Sequence, residues 1–238
     1  CAHAGAVERK SMLLAIDTAT QIMSLALHDG QRLLAEQTWH TANNHTLELA
    51  PAVQALLARC GVAVERLTAV AVSTGPGSYS GLRVGVALAK GLAAARRLPL
   101  AGVSSFDTLA AGQPYYQGGL LVIIQAGRGR ISVARYQWRK GRWGGRGEPQ
   151  LMDWETLFAS VDGPAYLTGE INEAGQQALA AARASGVPVT LVPSAYRLRR
   201  AGFLAEEALA LLGDKPDPRK FDPARLVPVY IKTQDSPE

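Results

Sequence analysis

The densest chemical signal in the sequence is a segment with four glycines. Residues 73–85 read STGPGSYSGLRVG; an apolar run precedes them and a helical pattern follows, which predicts a strand, a loop and a helix start. Glycine lets the backbone come close to a ligand, and the unpaired N–H groups of a helix N-terminus suit a phosphate or a carboxylate. These residues alone fit a phosphate loop and a ligand-free tight turn equally well.

A second segment combines basic and aromatic side chains. Seven lysines and arginines lie within residues 128–146 without an acid among them, and Tyr136, Trp138 and Trp143 are interleaved. Basic residues beside aromatic rings suit contact with single-stranded RNA. The simpler alternative is a solvated hairpin with an exposed basic face. The candidate RNA contacts are Arg139, Lys140 and Arg142.

The composition is that of an ordinary globular protein. The chain of 238 residues is long enough for one large domain or two small ones, with 47% hydrophobic and 19% charged residues. No apolar run approaches the ~18 residues of a membrane helix. A net charge of +5 and a pI of about 9.4 allow an acidic partner such as nucleic acid.

Cysteine usage and the first residues bear on location. Cys1 and Cys60 are the only cysteines, so no disulfide framework is expected, and a reducing, cytoplasmic compartment is the default. Residues 1–11 lack the apolar core of a signal peptide. They are interpreted as a tag remnant or an extension, and the first strand pattern begins after them.

Periodic apolar residues predict the elements of the first half of the chain. Three strands come first, with Asp29-Gly30 as the turn between the second and the third. A helix from His45, a strand, the glycine loop, a second helix, a short strand and a third helix follow. The strands are predicted at 13–17, 23–28, 32–39, 69–73 and 100–103, and the helices at 45–60, 81–97 and from 104 to about 111.

The second half of the chain is predicted to be rich in strands. Residues 112–119 contain Pro114 and several glycines, and they are the predicted boundary between lobes at 12–112 and 119–238. Three arginines at 197, 199 and 200 are expected on a solvated helix face. The strands are predicted at 120–125, 131–138, 143–147, 165–168 and 189–192, and the helices at 154–160, 173–184 and 195–212.

The order of these elements predicts the fold class. A β-β-β-α-β-α-β-α first lobe is an α/β plan with a mixed sheet. Two such lobes side by side are the layout of the actin, sugar-kinase and heat-shock ATPase (ASKHA) superfold, in which a hairpin turn of each lobe can face phosphates. This analogy concerns the fold and does not establish ATP chemistry. The candidate phosphate-binding residues are Asp17, Thr18, Gly75, Gly77 and Ser78.

Several of these segments together resemble one bacterial family, TsaB (YeaZ). The resemblance is dense from Met12 to about Ala111 and weak afterwards, apart from a short motif at residues 229–232. The segments that carry it are AIDTAT at 15–20, His45, STGPGSYSGLRVG at 73–85, AKGLA at 89–93, GVSS at 102–105 and VYIK at 229–232.

The resemblance implies a role in making threonylcarbamoyladenosine beside the anticodon of tRNAs that read codons beginning with A. In that system the TsaB subunit is non-catalytic, pairs with the catalytic TsaD subunit through N-terminal helices, and is joined by the ATPase TsaE. TsaB-like proteins also form homodimers through a similar surface. The family once carried the label of a glycoprotein peptidase.

Three positions indicate that this chain lacks a complete active site. The catalytic relative binds metal with two histidines four residues apart on a helix face, whereas Leu49 follows His45 here. Ala19 stands where ATP-binding superfold members have a glycine, and Gln125 where related chains often have an aspartate. No metal and no tightly bound cofactor are therefore expected, although weak ATP or ADP binding at a partner interface fits. The alternatives are an ATP-dependent phosphotransferase and a metallopeptidase.

A stripe of small residues on the second helix suggests the partner surface. Gly81, Gly85, Ala89 and Ala93 recur every four residues, and small side chains let another helix approach closely. The cation Arg83 is disfavoured in the first turn unless a partner carboxylate or a phosphate offsets it. Packing of the stripe on the chain's own sheet is the alternative. The predicted interface consists of His45, Leu49, Val53, Gly81, Arg83, Gly85 and Ala89.

Overall fold

The computed structural model describes residues 11–42 and 44–230. The first sheet has the strand order β3-β2-β1-β4-β5. β1 to β3 form an antiparallel meander, while β4 and β5 run parallel to β1. The strands are β1 (Leu13–Asp17), β2 (Ile22–His28), β3 (Leu33–His40), β4 (Ala69–Gly75) and β5 (Leu100–Ser104).

The second sheet repeats the plan of the first. Its order is β11-β10-β6-β7-β8, with β9 paired to β7, so an antiparallel meander again adjoins two parallel strands. This duplication confirms the two-lobed ASKHA-like fold. The strands are β6 (Gly119–Gly127), β7 (Arg130–Arg139), β8 (Arg142–Gly145), β9 (Gln150–Met152), β10 (Ala165–Gly169) and β11 (Val189–Leu191).

Helices cover both faces of each sheet. On the first sheet, the alternation along β1 sends Leu14 and Ile16 towards α1 and α2, and Leu13 and Ala15 towards α6. On the second sheet, α4 and α5 pack on one face and α3 on the other. The helices are α1 (His45–Arg59), α2 (Tyr79–Arg96), α3 (Ser105–Ala111), α4 (Trp154–Ala159), α5 (Glu173–Ala184) and α6 (Ala201–Leu212).

Helix α6 changes the predicted division of the chain. It follows the second sheet in sequence but buries Leu204, Ala205 and Ala208 against the first sheet, where the facing residues are mostly alanine. The small side chains let the helix lie close to the strands. The predicted assignment of every residue after 119 to one lobe is therefore wrong for α6, which belongs physically to the first sheet.

The predicted helix at 195–212 is in fact two elements. A 3-10 turn at Ser194–Arg197 is followed by extended residues at Leu198 and Arg200, and α6 begins only at Ala201. This break turns the side chain of Arg199 into the interior, where only 1% of it is exposed. The expectation of a solvated basic face is therefore wrong for Arg199.

Some sequence predictions fall outside the described residues. These are the extension at 1–10, Cys1, and the last two residues of the motif at 229–232. Within 11–42 and 44–230, no helix is long and apolar enough to span a membrane.

Candidate functional site

The turn after β1 packs directly on the glycine loop. The backbone N–H of Ser78 donates to the carbonyl of Ala19 across a distance of 2.6 Å. A Cβ atom on Gly77 would overlap with that carbonyl, and one on Gly85 would overlap with the hydroxyl of Thr18. The glycines therefore make room for the chain's own hairpin turn, which is the ligand-free alternative of the sequence analysis.

The segment before residue 230 covers the start of this loop. The N–H of Val229 donates to the carbonyl of Thr74 over 2.7 Å. The carbonyl of Val229 would lie 2.6 Å from a Cβ atom on Gly75, whose φ of +103° also favours glycine. The ring of Tyr230 then packs at a tilt of 38° against that of Tyr79, with centroids 4.9 Å apart. The chain's own residues thus fill the space around Gly75.

A buried arginine joins the two lobes. Nε of Arg199 lies 3.3 Å from Oδ2 of Asp17 at the end of β1, and Nη1 lies 3.0 Å from Oε1 of Glu170 after β10. Its Nη2 donates to the hydroxyl of Thr20. Asp17 is fully buried, and 19% of the Glu170 side chain is exposed. The carboxylate assigned to the phosphate turn is therefore neutralised by a cation of the chain itself.

Asp17, Arg199 and Glu170 form a buried triad, and burial affects the pKa of Asp17 and that of Arg199. Burial raises the pKa of the Asp17 carboxyl, and the guanidinium of Arg199 and the N–H of Ala19 only partly offset that rise. Burial disfavours the charged form of Arg199, but attraction by Asp17 and Glu170 outweighs it and raises the arginine pKa. Since arginine keeps its proton in proteins, Arg199 remains a cation beside Asp17.

An open cleft of about 1390 Å³ lies beside the triad. Gly77 and Ser78 line it, whereas Asp17 and Thr18 are buried behind them. Of the five predicted phosphate-binding residues, only Gly77 and Ser78 face the cleft. Gln125 also lines it and is held to the second lobe, because its N–H donates to Oε2 of Glu170 over 3.0 Å. The cleft thus has walls from both lobes.

The residues predicted to touch RNA form the tip of one hairpin. Arg139 and Arg142 are paired at the ends of β7 and β8, and Lys140 and Gly141 have the positive φ values of a tight hairpin turn. Arg139, Lys140 and Arg142 are exposed. Arg139 donates to the side chain of Gln137 at 2.9 Å, and none of the three forms an ion pair within the described residues.

Comparison with known proteins identifies the family. The model described as "TsaD: tRNA N6-adenosine threonylcarbamoyltransferase" matches residues 33–163. A Bacillus subtilis (strain 168) protein named "tRNA threonylcarbamoyladenosine biosynthesis protein TsaB" is 36% identical over 160 residues, 66% of this chain and 70% of that protein. The chain belongs to the TsaB (YeaZ) family. A TsaB of Escherichia coli (strain K12) is 37% identical over 52% of this chain and 54% of its own length.

Solved structures agree on the fold of the family. A Pseudomonas aeruginosa structure named "YeaZ from Pseudomonas aeruginosa" has a TM-score of 0.70 at 24% identity, and covers 93% of this chain and 100% of its own. Another, described as an uncharacterized protein with similarity to peptidase YEAZ, has a TM-score of 0.73 at the same identity and coverage. The fold of the TsaB family therefore extends over both lobes of this chain.

In this TsaB-family chain, most residues of the predicted partner interface are buried. Leu49, Val53 and Ala89 belong to the core between the helices and the first sheet. Nε2 of His45 lies 2.8 Å from the carbonyl of Thr20. The interface prediction is wrong for these residues, because they pack against the chain's own strands and turns. The same holds for Gly81 and Gly85, whereas Arg83 is exposed.

The opposite faces of the same two helices are exposed. Leu47 on α1 has 74% of its surface exposed, and Ala87 on α2 is exposed as well. A Cβ atom on Gly91 would meet no atom within 4 Å. The exposed positions within 47–58 on α1 and 87–95 on α2 are here called the α1–α2 face; they are Leu47, Ala50, Pro51, Gln54, Ala55, Ala58, Ala87, Gly91, Ala94 and Ala95.

Two members of the buried triad, Glu170 and Arg199, are not evident as site residues from the sequence. Glu170 follows the last residue of β10, as Asp17 ends β1, so the repeated strand order could have pointed to it. Arg199 gave no such signal, because its neighbours Arg197 and Arg200 suggested a solvated helix. Within the described residues, no group of three or more His, Cys, Asp and Glu side chains could hold a metal ion.

Proposed function

We propose that this chain is a non-catalytic subunit in tRNA threonylcarbamoyladenosine biosynthesis. It binds a TsaD-like catalytic paralogue, a TsaE-like ATPase joins the pair, and the complex modifies the adenosine next to the anticodon in tRNAs that read codons beginning with A. Membership of the TsaB family and the names of its curated relatives support the pathway. The family model that matches residues 33–163 supports kinship with the catalytic subunit.

The observation that carries this proposal is the α1–α2 face. Its ten positions include no charged residue, nine of them are apolar or glycine, and they lie on adjacent surface helices. Helices exposed to water usually carry charged residues on the outer side. Contiguous exposed apolar surface is typical of protein–protein interfaces. Small side chains would let a partner helix approach closely, and the same face can serve a homodimer.

The environment of Asp17 supports a non-catalytic role. Arg199 already holds this carboxylate, and the carbonyl of Ala19 already accepts the N–H of Ser78. A phosphate or a Mg²⁺ ion at the turn would have to displace both contacts. Weak nucleotide binding in the neighbouring cleft or at the partner interface is compatible with this geometry, because Gly77 and Ser78 line the open side.

The decisive experiment is co-purification with a TsaD-like protein from the same organism. Leu47→Arg and Ala87→Arg place a long cation on the α1–α2 face, and both variants are expected to lose the complex in size-exclusion chromatography while their melting temperature stays unchanged. Ala181→Arg on α5 is the matched control, because this alanine is also an exposed helical residue but lies on the second lobe. It is expected to bind like the wild type.

Two outcomes would contradict the proposal. If both variants bind as well as Ala181→Arg, the α1–α2 face is not the interface. If the purified wild type binds no TsaD-like protein and turns over ATP with a small-molecule acceptor, the phosphotransferase alternative replaces the proposal. Loss of that turnover in Asp17→Asn would then assign the activity to this turn.

A further inference from the structure

A groove on the second lobe, away from the α1–α2 face, is lined by aromatic rings and arginines. It has a volume of about 480 Å³ and lies between the segment 115–120, β7 and the loop 161–165. Binding sites for small ligands have volumes from about 300 Å³ upwards, so one or two nucleotides fit. The basic hairpin tip at Arg139 and Lys140 continues from the end of β7, the strand that forms one wall.

The aromatic wall of the groove is partly exposed. The ring of Tyr115, with 59% of its surface exposed, lies 5.4 Å from the ring of Trp138. Trp138 in turn meets Trp143 edge to face at 5.3 Å. Tyr116 stacks on Tyr166 with centroids 4.3 Å apart. The planes of Tyr115 and Trp138 are tilted by 58°, so the flat surface on which a base can stack is the exposed ring of Tyr115, with Trp138 at its side.

The segment that carries Tyr115 is fixed to the lobe. Nε1 of Trp143 donates to the carbonyl of Pro114 over 3.1 Å, and the N–H of Gly119 donates to the carbonyl of Pro164 over 2.9 Å. The side chain of Gln113 donates to the carbonyls of Leu109 and Tyr196. The segment predicted as a domain boundary is therefore an ordered wall, which lowers the entropy lost when a ligand binds.

Two arginines supply the charge of the groove. Arg135 is half-buried and donates to the hydroxyl of Ser160 at 2.8 Å. Arg146 is exposed and lies beside Arg135, because its N–H donates to the carbonyl of Arg135 over 2.7 Å. Neither forms an ion pair within the described residues. Asp162 is the acid among the lining residues, so the groove and the hairpin tip together are strongly cationic. This charge favours an anionic ligand with flat rings over an acidic peptide.

We propose that this groove binds unpaired nucleotides of RNA, with a base on the exposed ring of Tyr115, beside Trp138, and the adjoining phosphates on Arg135 and Arg146. Single-stranded RNA is recognised by the same combination of aromatic stacking and cationic side chains. The inference rests on the proposed function, because that function supplies tRNA as the RNA. It adds a direct contact between this subunit and the unpaired bases.

The test measures RNA affinity of the isolated chain and of its complex. Fluorescence anisotropy of a labelled short oligoadenylate gives the affinity, and quenching of tryptophan fluorescence reports stacking near Trp138. Tyr115→Ala is expected to weaken binding about 5- to 150-fold, the range measured for loss of one stacked base. Arg135→Glu with Arg146→Glu is expected to weaken binding at least tenfold and to reduce its salt dependence.

Matched controls separate the groove from general charge and from aromatic exposure. Tyr79→Ala removes a ring with 60% of its surface exposed beside Arg83, and Lys215→Glu with Arg219→Glu makes the same charge change on an exposed segment. Both controls are expected to change affinity less than threefold. Three results would overturn the inference. The groove variants and the control variants could lose the same RNA affinity, or polyglutamate could compete with the oligoadenylate as well as RNA does. The wild type could also fail to bind RNA both alone and in the complex. An intact complex with the TsaD-like protein in those cases would leave the proposed function standing.

Discussion

Replacing Arg199 by methionine should destabilise the protein far more than replacing its neighbour. The substitution leaves Asp17, which is fully buried, without the cation 3.3 Å away. Breaking a buried ion pair by removing one partner costs about 3–5 kcal/mol, because an uncompensated charge stays inside. At about 2–4 °C for each kcal/mol in a chain of this size, the melting temperature should fall by about 6–20 °C.

The neighbouring arginine provides the control for this prediction. Arg200 pairs with Glu36, but 45% of its side chain is exposed, so Arg200→Met should cost about 1 kcal/mol or less. The double variant Asp17→Asn with Arg199→Met removes the two fully buried charges and leaves the carboxylate of Glu170, which is 19% exposed, so it should recover most of the loss. Urea denaturation followed by circular dichroism measures the free energy of unfolding of the three variants. A loss for Arg199→Met no larger than that for Arg200→Met would refute the reasoning.

The same prediction has a pH dependence of defined sign. Burial already raises the pKa of Asp17 above its ordinary value of 3.8, and removal of Arg199 takes away the main opposing influence. An acid whose folded-state pKa is raised binds more protons when folded, so stability falls as pH rises from 3.8 through the raised pKa. The loss of unfolding free energy in Arg199→Met, relative to the wild type, should therefore be smaller at pH 5 than at pH 8. A pH-independent deficit would assign the effect to lost packing.

Two further predictions concern single positions. Gly85→Ala should lose about 1–3 kcal/mol because its methyl group overlaps with the Thr18 hydroxyl, whereas Gly91→Ala, in open space, should gain about 0.5–1 kcal/mol; equal effects in thermal unfolding would contradict the packing. Asp29 should titrate by carbon NMR with a pKa of about 2, because the Gln31 N–H and the Arg32 side chain donate to its carboxylate. The Asp29 carboxylate stabilises the fold fully above pH 3.8, and this contribution disappears as the pH falls towards 2. A measured pKa near the ordinary aspartate value of about 3.9 would contradict these contacts.

Periodicity predicted the elements well because it depends on local sequence. The apolar run at 13–17 forms the fully buried strand β1, and a tight turn at residues 29–32, which contains Asp29-Gly30, joins β2 to β3. It was harder to predict which sheet each helix packs against, because an amphipathic helix such as α6 can pack on any apolar surface. Its position on the first sheet is decided by the alanines of β1, β2, β4 and β5, which are distant in sequence.

Helix α2 shows why the spacing of small residues alone was misleading. The stripe from Gly81 to Ala93 and the exposed positions Ala87 and Gly91 lie on one helix, and both consist of small residues. The sequence indicates that something approaches α2 closely on each side. Only the structure shows that Thr18 and the core of the first sheet occupy the first side, whereas the second side is exposed.

The glycine loop likewise shows that a sequence pattern typical of a phosphate site can have a purely structural cause. Glycines at 75, 77, 81 and 85 are required whether the nearby group is a phosphate or the chain's own backbone, because both need space free of side chains. Here Ala19, Val229 and the Thr18 turn take that space. Arg199 likewise provides the positive charge that Asp17 needs. The two-lobed fold can therefore keep the shape of a nucleotide-binding protein while the chain itself fills the space around its glycine loop and supplies the cation beside Asp17.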